Sequence, residues 1–320
     1  MSKNDARKAL AKQFYTIMHR MRRFEEEVFE FYKQGKMPGL AHLYLGQEAI
    51  ATGACAALEH DDYIGSTHRG HGHLVGRGAD LSRMMAEILG KKTGYSKGKG
   101  GSMHIMALDK GILGANGIVA GQIPIAAGAA YASKLRGDKK VTIAFFGDGA
   151  VNEGVFHESA NMAAAWDLPI IFIIENNLYG ISVDIRKVTK EPQLAKRAGG
   201  YGMPGLTIDG NDVFIVYDEV SKAVKRARSG KGPTMIECLT YRWQGHHVGD
   251  PGIYRPEEEV EFWKAKDPIA RLEKSKLLTG AEVEHIKAEV EKEIAAACKF
   301  AVESDYADVS EAYTDVFVDR

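Results

Sequence analysis

Apolar residues recur at three- and four-residue steps near the start of the chain: Leu10, Phe14, Ile17, Met21, Phe24, Val28 and Phe31. Charged residues fill the opposite face, so the pattern predicts one long amphipathic helix over about 5–34. Shorter helical patterns follow over 47–58 and 81–89. The next stretch, "GKKTGYSKGKGGSMHIMALDKGILGANG" (90–117), has no period and is too polar to be core. Connections of that length are usually functional or mobile.

From Ile123 the pattern changes. "IPIAAGAAYASKL" reads as a helix with a face of small residues, and "VTIAFF" (141–146) as a buried strand. A helix over about 153–166 leads to a second apolar strand, "PIIFIIE". The succession repeats with "LTID", a helix over 213–228 and the strand "TMIECLTYRW". "GDPGIYRPEEE" breaks the chain, and helices over roughly 257–304 complete it. Apolar strands alternating with helices imply an α/β fold, a mostly parallel sheet flanked by helices on both faces. One domain spanning 1–320, with helical additions at its N- and C-terminal ends, accounts for the pattern.

Composition narrows the function classes. The net charge is −1 and no basic block dominates, so neither nucleic acid nor a membrane surface is expected as a partner. Cys55, Cys238 and Cys298 are too scattered for a disulfide framework or a metal knuckle. The start of the chain lacks the apolar core of a signal peptide, and no run reaches membrane-spanning length, so a cytoplasmic protein is expected.

The candidate chemistry lies at two strand ends. Asp148 follows "VTIAFF" in a Gly-Asp-Gly turn, and Asn176 and Asn177 follow "PIIFIIE". Ligands of open α/β sheets bind beyond the carboxyl ends of the strands. If the two strands are neighbours, a carboxylate and an amide oxygen converge there, both hard ligands for Mg²⁺ or Ca²⁺. Gly147 and Gly149 let a phosphate approach the backbone near a helix N-terminus. Each motif alone is ordinary turn chemistry; together, one βαβ unit apart, they read as a metal–diphosphate clamp.

Other motifs carry less. His71 and His73 alternate and His246 adjoins His247, but no thiolate or acid completes either pair as a zinc set. "GYSKGKGGS" lacks the Gly-Lys-Ser/Thr ending of a P-loop, and "GHGHLVG" fails the dinucleotide fingerprint. Lys97 and Lys99 read as solubilising charges, with diphosphate contacts as the alternative, and His157 and Glu158 as a solvated helix face or a local hydrogen bond.

Gly-Asp-Gly followed some thirty residues later by Asn-Asn resembles the signature of thiamine-diphosphate enzymes. More closely, "KGKGGSMHI", "GANGIVAGQIP", "GDGAVNEG", "NMAAAWDLPIIFIIENNLYG" and "YRWQGHHVGDPGIYR" resemble the alpha subunit of 2-oxo acid and acetoin dehydrogenase complexes. The resemblance runs from about His42 to Arg255.

It implies the thiamine-diphosphate-binding fold, with thiamine diphosphate and Mg²⁺ as cofactors. Asp148, Asn177 and the Tyr179 carbonyl would hold the metal, and the backbones of Gly149 and Ala150 the diphosphate. Gly117 and Val119 match residues that meet the aminopyrimidine ring. Arg69 matches a diphosphate contact, and His68 stands where many relatives have tyrosine. Arg242 and His246 sit on the loop that closes over the cofactor, with His246 expected in proton transfer or charge stabilisation. His42 matches a substrate-side histidine, and His71 is expected to face the active centre, with a hydrogen-bonded structural histidine as the alternative.

The implied reaction cleaves acetoin or oxidatively decarboxylates pyruvate, then passes a two-carbon unit to a lipoyl-bearing acyltransferase. "STHRGHGH" and "RWQGHHVGD" look most like acetoin-type subunits. A branched-chain 2-oxo acid substrate is a narrower alternative, and a non-catalytic cofactor-binding subunit a different one. The resemblance also implies a beta subunit, in an assembly of two copies of each chain, to supply the glutamate that activates thiamine. Where many mitochondrial pyruvate-type relatives have a regulatory serine, this chain has His247, which excludes phosphorylation at that point.

Overall fold

The computed structural model describes residues 3–318. Helix α1 (Lys3–Lys33) puts Phe14, Met18, Met21, Phe24 and Val28 into the core, as its period requires. After α2 (Glu48–Ala56) comes β1 (Tyr63–Gly65), a strand too short to leave a pattern in the sequence. It precedes α3 (His71–Gly76), also unforeseen, and α4 (Leu81–Ile88), which Asp80 caps by accepting the Arg83 N–H.

The central βα units follow: α5 (Gln122–Arg136), β2 (Thr142–Gly147), α6 (Gly154–Ala165) and β3 (Ile170–Asn176). A small antiparallel pair, β4 (Tyr179–Gly180) and β5 (Val183–Asp184), and the single turn α7 (Ile185–Val188) lead to β6 (Gly205–Asp209). Then come α8 (Val213–Arg228) and β7 (Thr234–Leu239). The last strand stops four residues before the end of its apolar run, because its neighbour β3 ends opposite it, Asn176 against Leu239. Helices α9 (Glu257–Lys264), α10 (Pro268–Lys274) and α11 (Gly280–Glu303) close the chain.

Strand order is β1-β2-β3-β7-β6, and every pair in this sheet is parallel. Alternation along the strands feeds two cores. Ile143, Phe145, Ile171 and Ile173 face a layer that includes α1, α2, α8 and α11. Ala144, Phe146, Phe172 and Ile174 face α5 and α6 on the other side. Burial on both faces is what an all-parallel sheet requires. No helix among the described residues is long and apolar enough to cross a membrane.

The glycine- and lysine-rich stretch is partly buried and tied to the core rather than wholly polar. The buried carboxylate of Glu87 accepts the backbone N–H groups of Ser96, Gly98, Gly100 and Gly101 at 2.7–3.1 Å. Ile105, Ala107 and Ile112 then enter the core. Lys97 and Lys99 pair with Glu311 and Asp315 near the chain's end, which fastens the stretch from outside.

Candidate active site

Neighbouring parallel strands bring the two motifs to one edge. Gly147 of β2 lies in register with Glu175 of β3, so the residues that follow each strand emerge side by side. Asp148 opens a 3-10 turn (Asp148–Asn152), and Asn177 follows the end of β3. The paired asparagines divide the work. Asn176 is a brace: its amide donates to the buried Glu237 carboxylate at 2.7 Å, and its oxygen accepts the Leu178 N–H at 3.1 Å. That contact supports Leu178 at a positive φ of 73°. Asn177 donates to Gln47 at 3.2 Å, which turns its Oδ1 the other way.

Asn177 Oδ1 and Asp148 Oδ2 are both buried and have no hydrogen-bond partner. Unpaired buried oxygens are costly, and each calls for an explanation. Burial pushes the Asp148 carboxyl up to about 6, against the pull of backbone N–H groups, Asn177's among them, and of Arg242 and Arg69. Above them lies a cavity of about 240 Å³. Its walls include His68, Arg69, Val119, Asp148, Gly149, Ala150, Asn177, Tyr179, Arg242 and His246.

Two guanidiniums reach this cavity without a carboxylate. Arg69 is fully buried, donating to the Leu43 carbonyl at 2.7 Å and the His246 carbonyl at 3.0 Å. Burial and the nearby Arg242 lower it to about 9. Arg242 donates to Tyr254 Oη at 2.8 Å, to the Tyr179 carbonyl at 3.3 Å and to the Ile181 carbonyl. Among the described residues neither arginine forms an ion pair, so both remain ready for an anion.

The loop carrying His246 is set by its own chemistry. Asp250 accepts the His246 and Gly252 N–H groups and the Tyr254 hydroxyl. Burial opposes its charge, but those donors hold it down to about 2. Arg255 donates to the carbonyls of Arg242, Trp243 and Gln244 at 2.6–3.3 Å. Gly245 is required, since a Cβ there would lie 2.3 Å from the Asp250 carbonyl oxygen. His246 then sits 4.8 Å, ring centre to ring centre, from His42, which lies equally close to His68. Burial and the positive charge of Arg69 lower these imidazoles to about 4 for His246, 3 for His68 and 2 for His42. All three are neutral near pH 7, and His246 Nδ1 accepts from Arg242 Nη1 at 3.3 Å.

Some expected contacts differ. His71 does not line the cavity; one ring nitrogen meets Glu25 and the other Ser102, both at 3.0 Å. Its chemistry is used up in holding α1, α3 and the glycine-rich stretch together, and its expected role on substrate is withdrawn. His42 sits behind His68 and His246 rather than in the wall. Gly117 is turned toward His104, and its neighbours Asn116 and Ile118 line the cavity instead.

Glu175 also lines the cavity and was hidden in the sequence as the end of an apolar strand. It accepts from the Tyr44 hydroxyl and meets His73 at 3.0 Å. His73 in turn meets Ser66 at 2.8 Å. Gly72 allows this, since a Cβ would lie 2.2 Å from the Tyr44 ring. A charged residue closing an apolar strand was the available signal.

Comparison with known proteins agrees with this geometry. Residues 16–310 match the dehydrogenase E1 component family. The chain is 48% identical over 308 residues to the alpha subunit of acetoin:2,6-dichlorophenolindophenol oxidoreductase of Bacillus subtilis, covering 95% of this chain and 92% of the relative. It is 42% identical to the subunit of the same name from Cupriavidus necator, covering 95% and 93%. It is 41% identical to the pyruvate dehydrogenase E1 component subunit alpha of Porphyra purpurea, covering 93% and 90%.

Proposed function

The chain belongs to the dehydrogenase E1 component family, and on that premise we propose that it is the alpha subunit of a thiamine-diphosphate-dependent oxidoreductase acting on acetoin. Pyruvate is the second reading, favoured by the pyruvate dehydrogenase relatives at 41% identity. Acetoin ranks first because the 48% identity to the Bacillus acetoin enzyme exceeds theirs.

One observation carries the cofactor reading. Asp148 Oδ2 and Asn177 Oδ1 are buried and unpartnered, and Arg69 and Arg242 line the same cavity. Two hard oxygens and two unpaired guanidiniums fit Mg²⁺ on a diphosphate. Asp148, Asn177 and the Tyr179 carbonyl would hold the metal. The backbones of Gly149 and Ala150 would meet the diphosphate, and Val119, which lines the same cavity, would meet the aminopyrimidine.

When bound, thiamine diphosphate supplies the electron sink that lets a carbon–carbon bond beside a carbonyl break. The chain's own residues orient and screen that chemistry. His246, neutral and held by the Asp250–Arg255 loop, is placed to exchange a proton or steady charge as the two-carbon unit leaves for a lipoyl acceptor. His42 backs His246 and His68 on the substrate side.

The partner is a beta subunit, two copies of each chain forming the assembly. Ile118, Val119, Ile125, Tyr131, Leu135, Met162 and Trp166 expose an apolar surface on α5, α6 and the segment before them, beside the cavity. That is the character of a face awaiting another chain. The same reading places the enzyme in the cytoplasm. Assaying the assembled complex with acetoin, pyruvate and 3-methyl-2-oxobutanoate tests it; turnover of acetoin is expected to be highest. A preference for the branched-chain acid would overturn the substrate assignment.

A further inference from the structure

The sequence completes a zinc set around neither His71–His73 nor His246–His247, and the fold removes the first pair altogether. His71 and His73 are each saturated by buried partners. The structure instead gathers histidines from three separate segments, His42, His68 and His246. One ring nitrogen of each lies within 4.8 Å of the other two. We propose that these three imidazoles form a binding site for a divalent transition-metal ion, Zn²⁺ being the cation that their chemistry fits.

Three observations support it. First, the three donors already converge: zinc–imidazole bonds of about 2.0–2.1 Å need donor atoms roughly 3.4 Å apart, so side-chain rotation must bring them closer by up to about 1.4 Å from the observed 4.8 Å. Second, His42 is more than nine-tenths buried, and its Nδ1 has no hydrogen-bond partner. Third, His68 and His246 line the cavity, so a metal held by the three would keep its fourth position open toward that space. Three protein ligands with one open position is the arrangement of an exchangeable zinc site rather than a sealed structural one.

The neighbours set its character. Arg69 and Arg242 repel any cation, Arg242 Nη1 already meets His246 Nδ1 at 3.3 Å, and no carboxylate joins the set. The site is therefore weaker than one with an acidic ligand, and reversible. It is also distinct from the oxygen clamp at Asp148 and Asn177, because imidazoles select zinc or cobalt while carboxylate and amide oxygens select magnesium. A bound ion would engage the lone pair of His246. Inhibition of turnover is therefore the expected consequence, and that consequence alone rests on the proposed function.

The test uses the untagged full-length chain, titrated with Co²⁺ in saturating Mg²⁺. One equivalent should produce the intense visible bands of four-coordinate cobalt, and added Zn²⁺ should bleach them. His68→Phe and His42→Phe should each weaken cobalt binding at least tenfold, with circular dichroism confirming that each variant is folded. His60→Gln, at an exposed position, should leave the titration unchanged. Only the pale spectrum of six-coordinate cobalt, or four-coordinate binding untouched by His68→Phe or His42→Phe, would overturn the proposal. The titration needs no thiamine chemistry, so a failure of the proposed function would not move it.

Discussion

The two walls of the cavity are built on different principles. Asp148 and Asn177 stand at the ends of adjacent strands, and the register of β2 against β3 fixes where they emerge. Arg242, His246 and their neighbours lie beyond the last strand, on chain with no regular structure of its own. Side-chain bonds to the backbone, chiefly from Asp250 and Arg255, replace the ladder there. The strand-end wall draws on the stability of the sheet, and the loop wall on a few replaceable contacts. The first suits a fixed anchor, and the second a part that moves when cofactor or substrate enters.

If that contrast holds, the largest effect should come from the anchor. Asp148→Ala removes the anionic member of the oxygen pair. Each tenfold loss of affinity is about 1.4 kcal/mol, and losing this ligand should cost several such steps in Mg²⁺-dependent thiamine diphosphate binding. The fold should survive, because Asp148 Oδ2 has no partner and the carboxylate otherwise accepts only the neighbouring N–H groups of Asp148 and Asn177. Near-normal affinity by calorimetric titration would remove the anchor from the account.

His246→Ala probes the other wall. Cofactor affinity should change little, while acyl transfer to lipoamide should slow about a hundredfold, the lower range for a lost acid–base group. Rapid-quench measurement of lipoamide acylation decides it; equal rates in variant and parent would retire the role. A smaller effect is expected from Arg255→Ala, which strips three carbonyls of their donor. Losing charge-assisted hydrogen bonds should cost about 2 kcal/mol locally, a roughly thirtyfold faster hydrogen exchange over residues 242–252. Exchange across β2 and β3 should not change. If it rises equally, the two walls are one cooperative unit and the contrast fails.

The smallest effect lies far from both walls. Thr279 caps α11 through a reciprocal capping box with Glu282. Thr279→Ala should lower stability by about 1 kcal/mol in urea denaturation. Cofactor affinity should stay unchanged, and a parallel loss would tie the remote helix to the site.

What the sequence revealed follows the same division. The parallel sheet and the Asp148–Asn177 pair were legible because apolar strands and turn residues are local patterns. The short β1 and α3 were not, since three and six residues leave no period. Lys97 and Lys99 read as solvated charges because Glu311 and Asp315 lie more than two hundred residues away. His71 was misplaced for a similar reason: nothing near it in sequence announces Glu25 or Ser102 as partners. The three-histidine group is the clearest case, for its members lie 26 and 178 residues apart and meet only in the fold.

The central claim is that this chain supplies the diphosphate-and-metal half of the site, and that a beta subunit must complete it. The most direct measurement is acetoin-dependent reduction of 2,6-dichlorophenolindophenol, with thiamine diphosphate and Mg²⁺ saturating. The chain is assayed alone and then with its purified beta subunit. The account predicts no turnover from the chain alone and turnover that saturates at equal amounts of the two subunits. Full turnover from the isolated chain would contradict it.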